Sequence, residues 1–273
     1  MQNGTDRAST HSSGQISSLR TITIDGVDFH AVTEPETLDI ISSNVRNGSD
    51  GGLVLTVNTD IMRQLHHTPD VLERARLVVA DGMPLVWASW ILGDQLPERV
   101  TGAEMVPLLC QRAAKDGLRV FLFGAAPGVA DRAASKLQQA SPGLQIVGTH
   151  SPERGFDATP EGLQRAVDLV AETRPDVVFV ALGFPRQERV ALAMLEALPK
   201  AWFIGCGGAL DMAAGDVPRA HTLVQRLGAE WLHRLFQEPR RLSGRYLRHG
   251  VPYTLSLLGR SVATRLRGGR PLS

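Results

Sequence analysis

The segment DVVFVALGFPRQER, residues 176–189, joins an apolar run to a polar stretch through a glycine and a proline. Its β-branched and aromatic residues form a short run, which predicts a strand buried on both faces. The glycine and proline indicate a turn, and helical spacing begins at Gln187. A strand that leads through a tight turn into a helix is the repeating unit of a parallel α/β sheet.

The same unit recurs on both sides of this segment. Five further apolar runs predict strands: LVLTVNT (53–59), RLVVA (76–80), RVFLFGA (119–125), LQIVGTH (144–150) and AWFIGCGG (201–208). Helices are predicted at Gly128–Ala140, Pro160–Thr173 and Gln187–Leu198. We therefore predict an α/β fold, a mainly parallel Rossmann-like sheet sandwiched by helices. A small β-hairpin should precede it, because residues 21–32 alternate around the turn dipeptide Asp25-Gly26.

Three regions of the chain differ in composition. Residues 1–20 are polar and serine-rich and predict a disordered leader, and residues 21–219 hold the predicted α/β domain. Residues 220–273 are predicted to form a basic helical appendage. From Arg226 to Ser273 there are ten arginines, no lysine and two acids, a formal charge of +8 in a chain of net charge +1. This asymmetry indicates an anionic partner.

The composition also argues against several classes of protein. Two distant cysteines give no disulfide framework, which favours a cytoplasmic protein, and no apolar run is long enough to span a bilayer. The histidines form no metal-binding cluster and the sequence has no Asp-x-Asp motif, so we expect no metal and no other cofactor. Aromatic residues make up 5% of the chain, too few for a stacking platform, so nucleic acid is not an expected partner. The sequence is compatible with a homo-oligomer as well as with a monomer.

Polar residues follow two of the predicted strands. Thr56 and Asn58 end one strand, where a hydroxyl and an amide would hold a polar ligand; alternatively, Thr59 or Asp60 caps the next helix. We expect the cap for Asp60 and leave both roles open for Thr56 and Asn58. Asp81 follows RLVVA and should emerge at the carboxyl edge of the sheet, either as a general base or as the cap of a helix beginning near Pro84.

Segments that would bind a ligand follow three other predicted strands, two of them through glycine-rich turns. Gly124 and Gly128 lie in a strand–turn–helix unit that would bind phosphate, although neither matches a complete nucleotide fingerprint. Gly207 and Gly208 would allow a ligand close to the backbone. Residues 186–189 would hold a diphosphate or sugar hydroxyls, with a solvated first helical turn as the alternative for Glu188 and Arg189.

These segments occur in an order that resembles a known family. TVNTD, ADGMPLVWASWILGDQLPERVTGAEM, VFLFGAAPGVADRAASKL, PDVVFVALGFPRQE, GCGGALDMAAGDVPRA and QRLGAEWLHRLFQEPRRLSGRYL together resemble the WecG/TagA/CpsF family of bacterial glycosyltransferases, from about Ile22 to Leu247. The resemblance implies transfer of a sugar, such as N-acetylmannosamine, from a UDP-sugar to a polyprenyl-diphosphate-linked saccharide, with inversion, during cell-surface polysaccharide or exopolysaccharide synthesis.

The resemblance also implies roles for individual residues. Asp81 is the proposed base, and Thr56, Asn58, Arg99 and Gln187 match the family's substrate pocket. Residues 151–157 (SPERGFD) keep only Gly155-Phe156 of a motif that many members carry, which leaves the donor sugar open.

The basic appendage is implied to associate with the membrane, which predicts a peripheral protein at the inner face of the plasma membrane. Eight excess charges near anionic lipid suffice for reversible docking. The arginines expected to contact lipid or diphosphate are Arg226, Arg234, Arg240 and Arg241. Leu232, Phe236 and Leu257 are expected to insert shallowly.

Two alternatives remain at this point. Strand–glycine–helix units also occur in nicotinamide-dependent oxidoreductases, although the full glycine fingerprint is missing here. A non-catalytic module that binds membranes through the basic segment is the other alternative.

Overall fold

A computed structural model describes residues 16–217 and 250–268, and it confirms the predicted α/β fold. The strands are β1 Thr21–Ile24, β2 Val27–His30, β3 Gly52–Val57, β4 Ala75–Ala80, β5 Arg119–Gly124, β6 Gln145–His150, β7 Val177–Ala181 and β8 Trp202–Gly205. The helices of the described ranges are α1 Glu34–Arg46, α2 Thr59–Leu65, α3 Pro69–Arg74, α4 Met83–Leu92, α5 Gly102–Asp116, α6 Val129–Ala140, α7 Pro160–Glu172, α8 Arg186–Ala197, α9 Ala209–Ala213 and α10 Val251–Leu266.

Six strands form one parallel sheet in the order β4-β3-β8-β7-β5-β6. The predicted hairpin is also present: β1 and β2 pair antiparallel, with Ile24 opposite Val27. Its turn residues Asp25 and Gly26 both have positive φ angles, 51° and 81°, as a tight two-residue hairpin turn requires.

Each face of the large sheet is covered by helices. Along β3, Val54 packs into the core formed with α1, α5, α6 and α9. Leu53 and Leu55 point to the opposite core, formed with the hairpin, α2, α3, α4, α7, α8 and α10. Because successive side chains of a strand alternate between faces, a sheet buried on both sides needs the nearly continuous apolar runs seen in the sequence.

The chain changes from one face to the other between α4 and α5. The connecting residues 93–101 run past the carboxyl end of β4, where the Val100 N–H donates to the Ala80 carbonyl at 2.8 Å. This crossing brings Arg99 and the beginning of α5 to the same edge of the sheet as Asp81.

The helix α10 packs on the α/β unit rather than standing apart from it. Leu257 is completely buried in the core beside the hairpin. The expectation that Leu257 inserts into a membrane is therefore wrong, because a side chain in the core is not available to lipid. Residues 218–249 lie outside the described residues, and with them Arg226, Arg234, Arg240, Arg241, Leu232 and Phe236.

The predicted leader also extends too far. Residues 1–15 lie outside the described residues, but Ile16 is buried in the core beside α1 and α5. Arg20 donates to Asp94 and to the Gln95 carbonyl, both at 2.8 Å. Residues 16–20 are therefore part of the fold, because their apolar side chains have a core to enter.

Candidate active site

The carboxyl ends of β4, β3, β8 and β7 lie side by side and carry most of the predicted site residues. The Asp81 N–H donates to the Val57 carbonyl at 2.7 Å, which places Asp81 beside Asn58 at the ends of β4 and β3. In open parallel sheets, ligands bind outside this edge. The predicted base therefore lies where a substrate would reach it.

Asp81 is half-buried, and the chain turns sharply after it. Gly82 has a φ of 148°, a backbone conformation that residues other than glycine rarely adopt. Gly82, not Asp81, occupies the N-cap position of α4, and Pro84 follows in the first turn. The alternative prediction, that Asp81 is the N-cap of this helix, is therefore wrong by one residue, because α4 begins at Met83 and its N-cap is Gly82.

Asn58 is the residue that caps α2. Its Oδ1 accepts hydrogen bonds from the N–H groups of Asp60 and Ile61, at 3.0 and 3.1 Å. The expectation that Asp60 is the cap is wrong, because its carboxylate instead contacts Arg63 and Gln64. The cap occupies the oxygen of Asn58, so any hydrogen bond from this side chain to a ligand would come from its Nδ2.

Thr56 joins β3 to β8 beyond the end of their backbone ladder. Its buried Oγ1 donates to the Gly205 carbonyl at 3.2 Å, whereas backbone pairing ends at Val54 and Ile204. The start of α5 lies against the same point: a Cβ on Gly102 would be 3.4 Å from the Gly205 oxygen and 3.7 Å from Thr56 Oγ1. Thr56 thus connects β3, β8 and α5 at the site.

Arg99 is held beside the first turn of α5. Its Nη2 lies 3.4 Å from Glu104 Oε1, and both side chains are largely buried. Thr101 Oγ1 accepts from the Glu104 N–H and donates to Glu104 Oε2, both at 3.1 Å. Sequence reasoning missed Glu104, although the T-x-x-E spacing of Thr101 and Glu104 is the capping-box pattern that would have found it.

Gln187 joins two loops at the edge of the sheet. Its Oε1 accepts hydrogen bonds from the Gly183 N–H at 3.0 Å and from the Gly207 N–H at 3.1 Å. Its Nε2 donates to Glu188 Oε1 at 2.8 Å, and only 3% of Gln187 is exposed. Gln187 thus lies in the site, with its amide already bonded to three protein groups.

Glu188 is 1% exposed, so its interpretation as part of a solvated helical turn is wrong. Burial raises the pKa of Glu188 to about 7, and the hydrogen bond from Gln187 offsets part of that rise. Arg189 is exposed, in agreement with the prediction that it lies in a solvated helical turn. The side chain of Arg186 is bonded to Asp157, with Nε donating at 2.7 Å.

The glycine turns divide into two groups. Gly207 and Gly208 follow β8, two strand positions from Asp81. Gly124 and Gly128 follow β5, four strand positions from Asp81, about 19 Å at the usual strand spacing. Gly124 also has a packing reason to be glycine, because a Cβ there would lie 2.5 Å from the Ala181 carbonyl oxygen. The structure thus brings Gly207 and Gly208 to the site but leaves Gly124 and Gly128 at a distance.

No group of three or more His, Cys, Asp or Glu side chains within residues 16–217 and 250–268 is arranged to hold a metal ion. The metal-free reaction remains a prediction. Within the same ranges, no helix combines the length and apolar character that crossing a bilayer requires.

The fold brings a carboxylate, an arginine and glycine loops to the carboxyl edge of a parallel α/β sheet, the edge at which enzymes of this fold class bind their ligands. The chain belongs to the Glycosyl transferase WecG/TagA/CpsF family, whose sequence profile matches residues 22–267. It is therefore a glycosyltransferase, and the oxidoreductase and non-catalytic alternatives are set aside.

Two relatives are both named N-acetylglucosaminyldiphosphoundecaprenol N-acetyl-beta-D-mannosaminyltransferase. The protein from Bacillus subtilis (strain 168) is 30% identical over 224 residues, which cover 81% of this chain and 85% of the relative. The protein from Bacillus spizizenii (strain ATCC 23059 / NRRL B-14472 / W23) is 28% identical over 226 residues, or 82% and 86% of the two chains. The matches cover most of each chain.

Proposed function

We propose that this glycosyltransferase moves N-acetylmannosamine, or a related hexose, from a UDP-sugar to a saccharide on polyprenyl diphosphate during synthesis of a cell-surface polysaccharide. The names of the two Bacillus relatives support the sugar and the lipid-linked acceptor. The observation that carries the proposal is the position of Asp81, which follows β4 and is bonded through its N–H to the end of β3.

Asp81 acts as the general base in a direct displacement. Its carboxylate removes the proton from the acceptor hydroxyl while that oxygen forms a bond to the anomeric carbon of the donor sugar. The bond from the anomeric carbon to the diphosphate oxygen breaks, and UDP leaves with its electron pair. Because the attack comes from the face opposite UDP, the anomeric configuration inverts.

Arg99 and the loop at Gly207 and Gly208 balance the negative charge that develops on UDP. Arg99 lies at the crossing segment beside the site, and its contact with Glu104 limits its conformations. The Gly207 N–H already donates to Gln187, so the Gly208 N–H and the guanidinium are the donors that stabilise the leaving diphosphate without reorganisation. Asn58 contributes the amide that orients the donor, and Thr56, whose hydroxyl is bonded to the Gly205 carbonyl, fixes the ends of β3 and β8 beside it.

The acceptor lipid requires an enzyme that works at a membrane surface, and α10 offers a suitable face. Its exposed apolar residues are Val251, Leu255, Val262 and Leu266, with Leu255 66% and Leu266 82% exposed. At 3.6 residues per turn these four positions lie within about 60° of one another, so they form a single stripe. We refer to them as the α10 stripe.

The partner of the α10 stripe is an anionic bilayer. Arg265 and Arg267 lie at the end of the same helix, and the sequence from Arg226 to Ser273 has a charge of +8. The neighbouring α4 exposes Trp87 and Trp90, a residue type that favours the headgroup level. Apolar contact and arginine–phosphate attraction together give reversible binding at the inner face of the plasma membrane.

A panel of nucleotide sugars tests the reaction directly. The full-length enzyme is incubated with each UDP-sugar and an N-acetylglucosaminyl-diphospho-undecaprenol acceptor, and the lipid product is analysed by mass spectrometry. We expect one donor to extend the acceptor by a single N-acetylhexosamine or hexose. A thermal shift caused by NAD but not by UDP, together with no extended product, would contradict the proposal.

A further inference from the structure

We propose that Glu188 is a positioning residue that, through Gln187, holds two loops of the donor site in a fixed relation. The proposal rests on the proposed function in one respect, namely that these loops bind the UDP-sugar. Neither side chain needs to touch the substrate, because both act through the backbone of the loops.

The two loops belong to different strand–helix units. Gly183 lies between β7 and α8, and Gly207 lies between β8 and α9. Both of their N–H groups donate to the same atom, Gln187 Oε1, at 3.0 and 3.1 Å. A carbonyl oxygen has two lone pairs, so this atom is fully used and the two loops share one anchor.

This anchor works in only one orientation of the Gln187 amide. If the amide turned by half a rotation, its NH₂ group would face the two glycine N–H groups, and no acceptor would remain for them. Glu188 Oε1 selects the working orientation, because it accepts from Gln187 Nε2 at 2.8 Å. Both side chains are almost fully buried, so water is a poor substitute for either partner.

The end of β8 is shaped around this pair. A Cβ on Gly205 would lie 2.5 Å from Gln187 Nε2 and 2.6 Å from Glu188 Oε1, so a side chain at that position would displace the pair. Gly205 is also the residue whose carbonyl accepts from Thr56. The pair is thus packed directly against the predicted donor pocket.

Filling space does not account for a hydrogen-bond acceptor in this place. Glu188 Oε2 is buried and has no hydrogen-bond partner among the described residues, which is costly in a protein interior. An apolar side chain of similar size would avoid that cost but would leave Gln187 Nε2 without an acceptor. The carboxyl group is explained if orienting the amide of Gln187 is its function.

Two substitutions separate the acceptor from the charge. Glu188→Gln keeps an oxygen that accepts from Gln187, whereas Glu188→Leu removes the acceptor and keeps the volume. Glu196→Leu is the matched control, because Glu196 lies on the same helix but its side chain is 70% exposed. Each full-length variant is measured for amide hydrogen exchange at Gly183 and Gly207 and for UDP affinity by calorimetry.

We expect Glu188→Leu to speed exchange at both glycines and to weaken UDP binding, each about tenfold, the effect of losing one buried hydrogen bond. Glu188→Gln and Glu196→Leu should leave both quantities close to those of the unmodified protein. A folded Glu188→Leu protein with unchanged exchange at both glycines would overturn the proposal.

If Glu188→Leu does not fold, Gln187→Asn decides, because the shorter side chain cannot reach both loops while Glu188 remains in place. Faster exchange at Gly183 and Gly207 supports the proposal, and unchanged exchange at both overturns it. The exchange measurement does not depend on the ligand. Protected glycines in a protein that fails to bind UDP would therefore contradict the proposed function and leave the role of Glu188 intact.

Discussion

Arg260 holds Asp25 through two hydrogen bonds, from Nε to Oδ1 at 2.8 Å and from Nη2 to Oδ2 at 2.6 Å. Tyr253 adds a third bond to the same carboxylate at 3.0 Å. Helix α10 is thereby attached to the hairpin turn at the opposite end of the chain. The attachment keeps Leu257 in the core and leaves the α10 stripe facing outward.

Removing the charge of Asp25 should loosen this attachment. Asp25→Asn keeps a residue that tolerates the positive φ of the turn but loses the ion pair with Arg260. Because Arg260 is partly exposed, we expect the free energy of unfolding to fall by about 1–2 kcal/mol in denaturant titrations. Asp28→Asn, in the same hairpin, is the control. Equal stability of Asp25→Asn and the unmodified protein would contradict the role of this contact.

The same contact should make stability depend on acidity. Burial alone would raise the pKa of Asp25, but the hydrogen bonds and charge of Arg260, with the bond from Tyr253, lower it below 3.8. The unfolded chain therefore binds the proton first as the pH falls below about 4, so the contribution of Asp25 is lost in that range. Asp25→Asn should flatten this part of the stability profile, which denaturant titrations between pH 5 and pH 3 would show.

Glu188 should produce the opposite dependence. Its pKa rises from 4.5 to about 7 in the folded protein, chiefly through burial, so the folded chain holds the proton over this range and the unfolded chain does not. Stability from this group is complete below about pH 4.5 and decreases by roughly 3 kcal/mol as the pH rises through 7.

Glu188→Gln should remove that decrease. The free energy of unfolding of the variant is subtracted from that of the unmodified protein at each pH, so that the contributions of the other titrating groups cancel. The pKa of the Cys206 thiol in the neighbouring loop is raised chiefly by burial, with a smaller contribution from the charge of Glu188. Urea unfolding at pH 5 and pH 8 provides the measurement. An identical pH dependence in the variant and the unmodified protein would show that Glu188 does not titrate in this range.

Arg99 should contribute to binding of the nucleotide diphosphate. Arg99→Gln removes the charge beside α5, so we expect the KM for the UDP-sugar to rise about tenfold or more, as loss of a charge-assisted hydrogen bond implies. Arg74→Gln is the matched control, since Arg74 forms an exposed ion pair with Glu196. An unchanged KM in Arg99→Gln would remove Arg99 from the donor site.

The α10 stripe should be needed for membrane binding. A double variant, Leu255→Asp with Leu266→Asp, places two carboxylates in the stripe, so flotation with phosphatidylglycerol vesicles should fall at least about tenfold. Leu169→Asp is the control, because Leu169 is an exposed leucine of α7. Equal flotation of the double variant and the unmodified protein would show that lipid does not contact this face.

Much of the fold could be predicted because both faces of the sheet are buried. The runs around Leu55, Val79 and Phe179 are almost purely apolar, and each became a strand. The helices predicted at Gly128, Pro160 and Gln187 begin within one residue of those positions. The boundaries of these strands and helices depend on nearby glycine and proline residues, so they can be predicted from the local sequence alone.

The parts that could not be predicted depend on contacts between distant residues. Asp25 and Arg260 are far apart in the chain, and nothing local marks Leu257 as a core residue. Glu188 was misinterpreted because a charged residue in a first helical turn is usually solvated, whereas here β8 and Gln187 cover it. Gly124 suggested phosphate binding, but its close contact with Ala181 also requires glycine.

The central claim is that Asp81 deprotonates the acceptor, and turnover by Asp81→Asn tests it most directly. The variant keeps the shape of the side chain and removes the base, and Asp94→Asn serves as an exposed control. With a saturating UDP-sugar and the lipid-linked acceptor, we predict that kcat falls about 10²–10⁴-fold while UDP affinity stays unchanged. Near-normal turnover by a folded, UDP-binding Asp81→Asn enzyme would contradict the account.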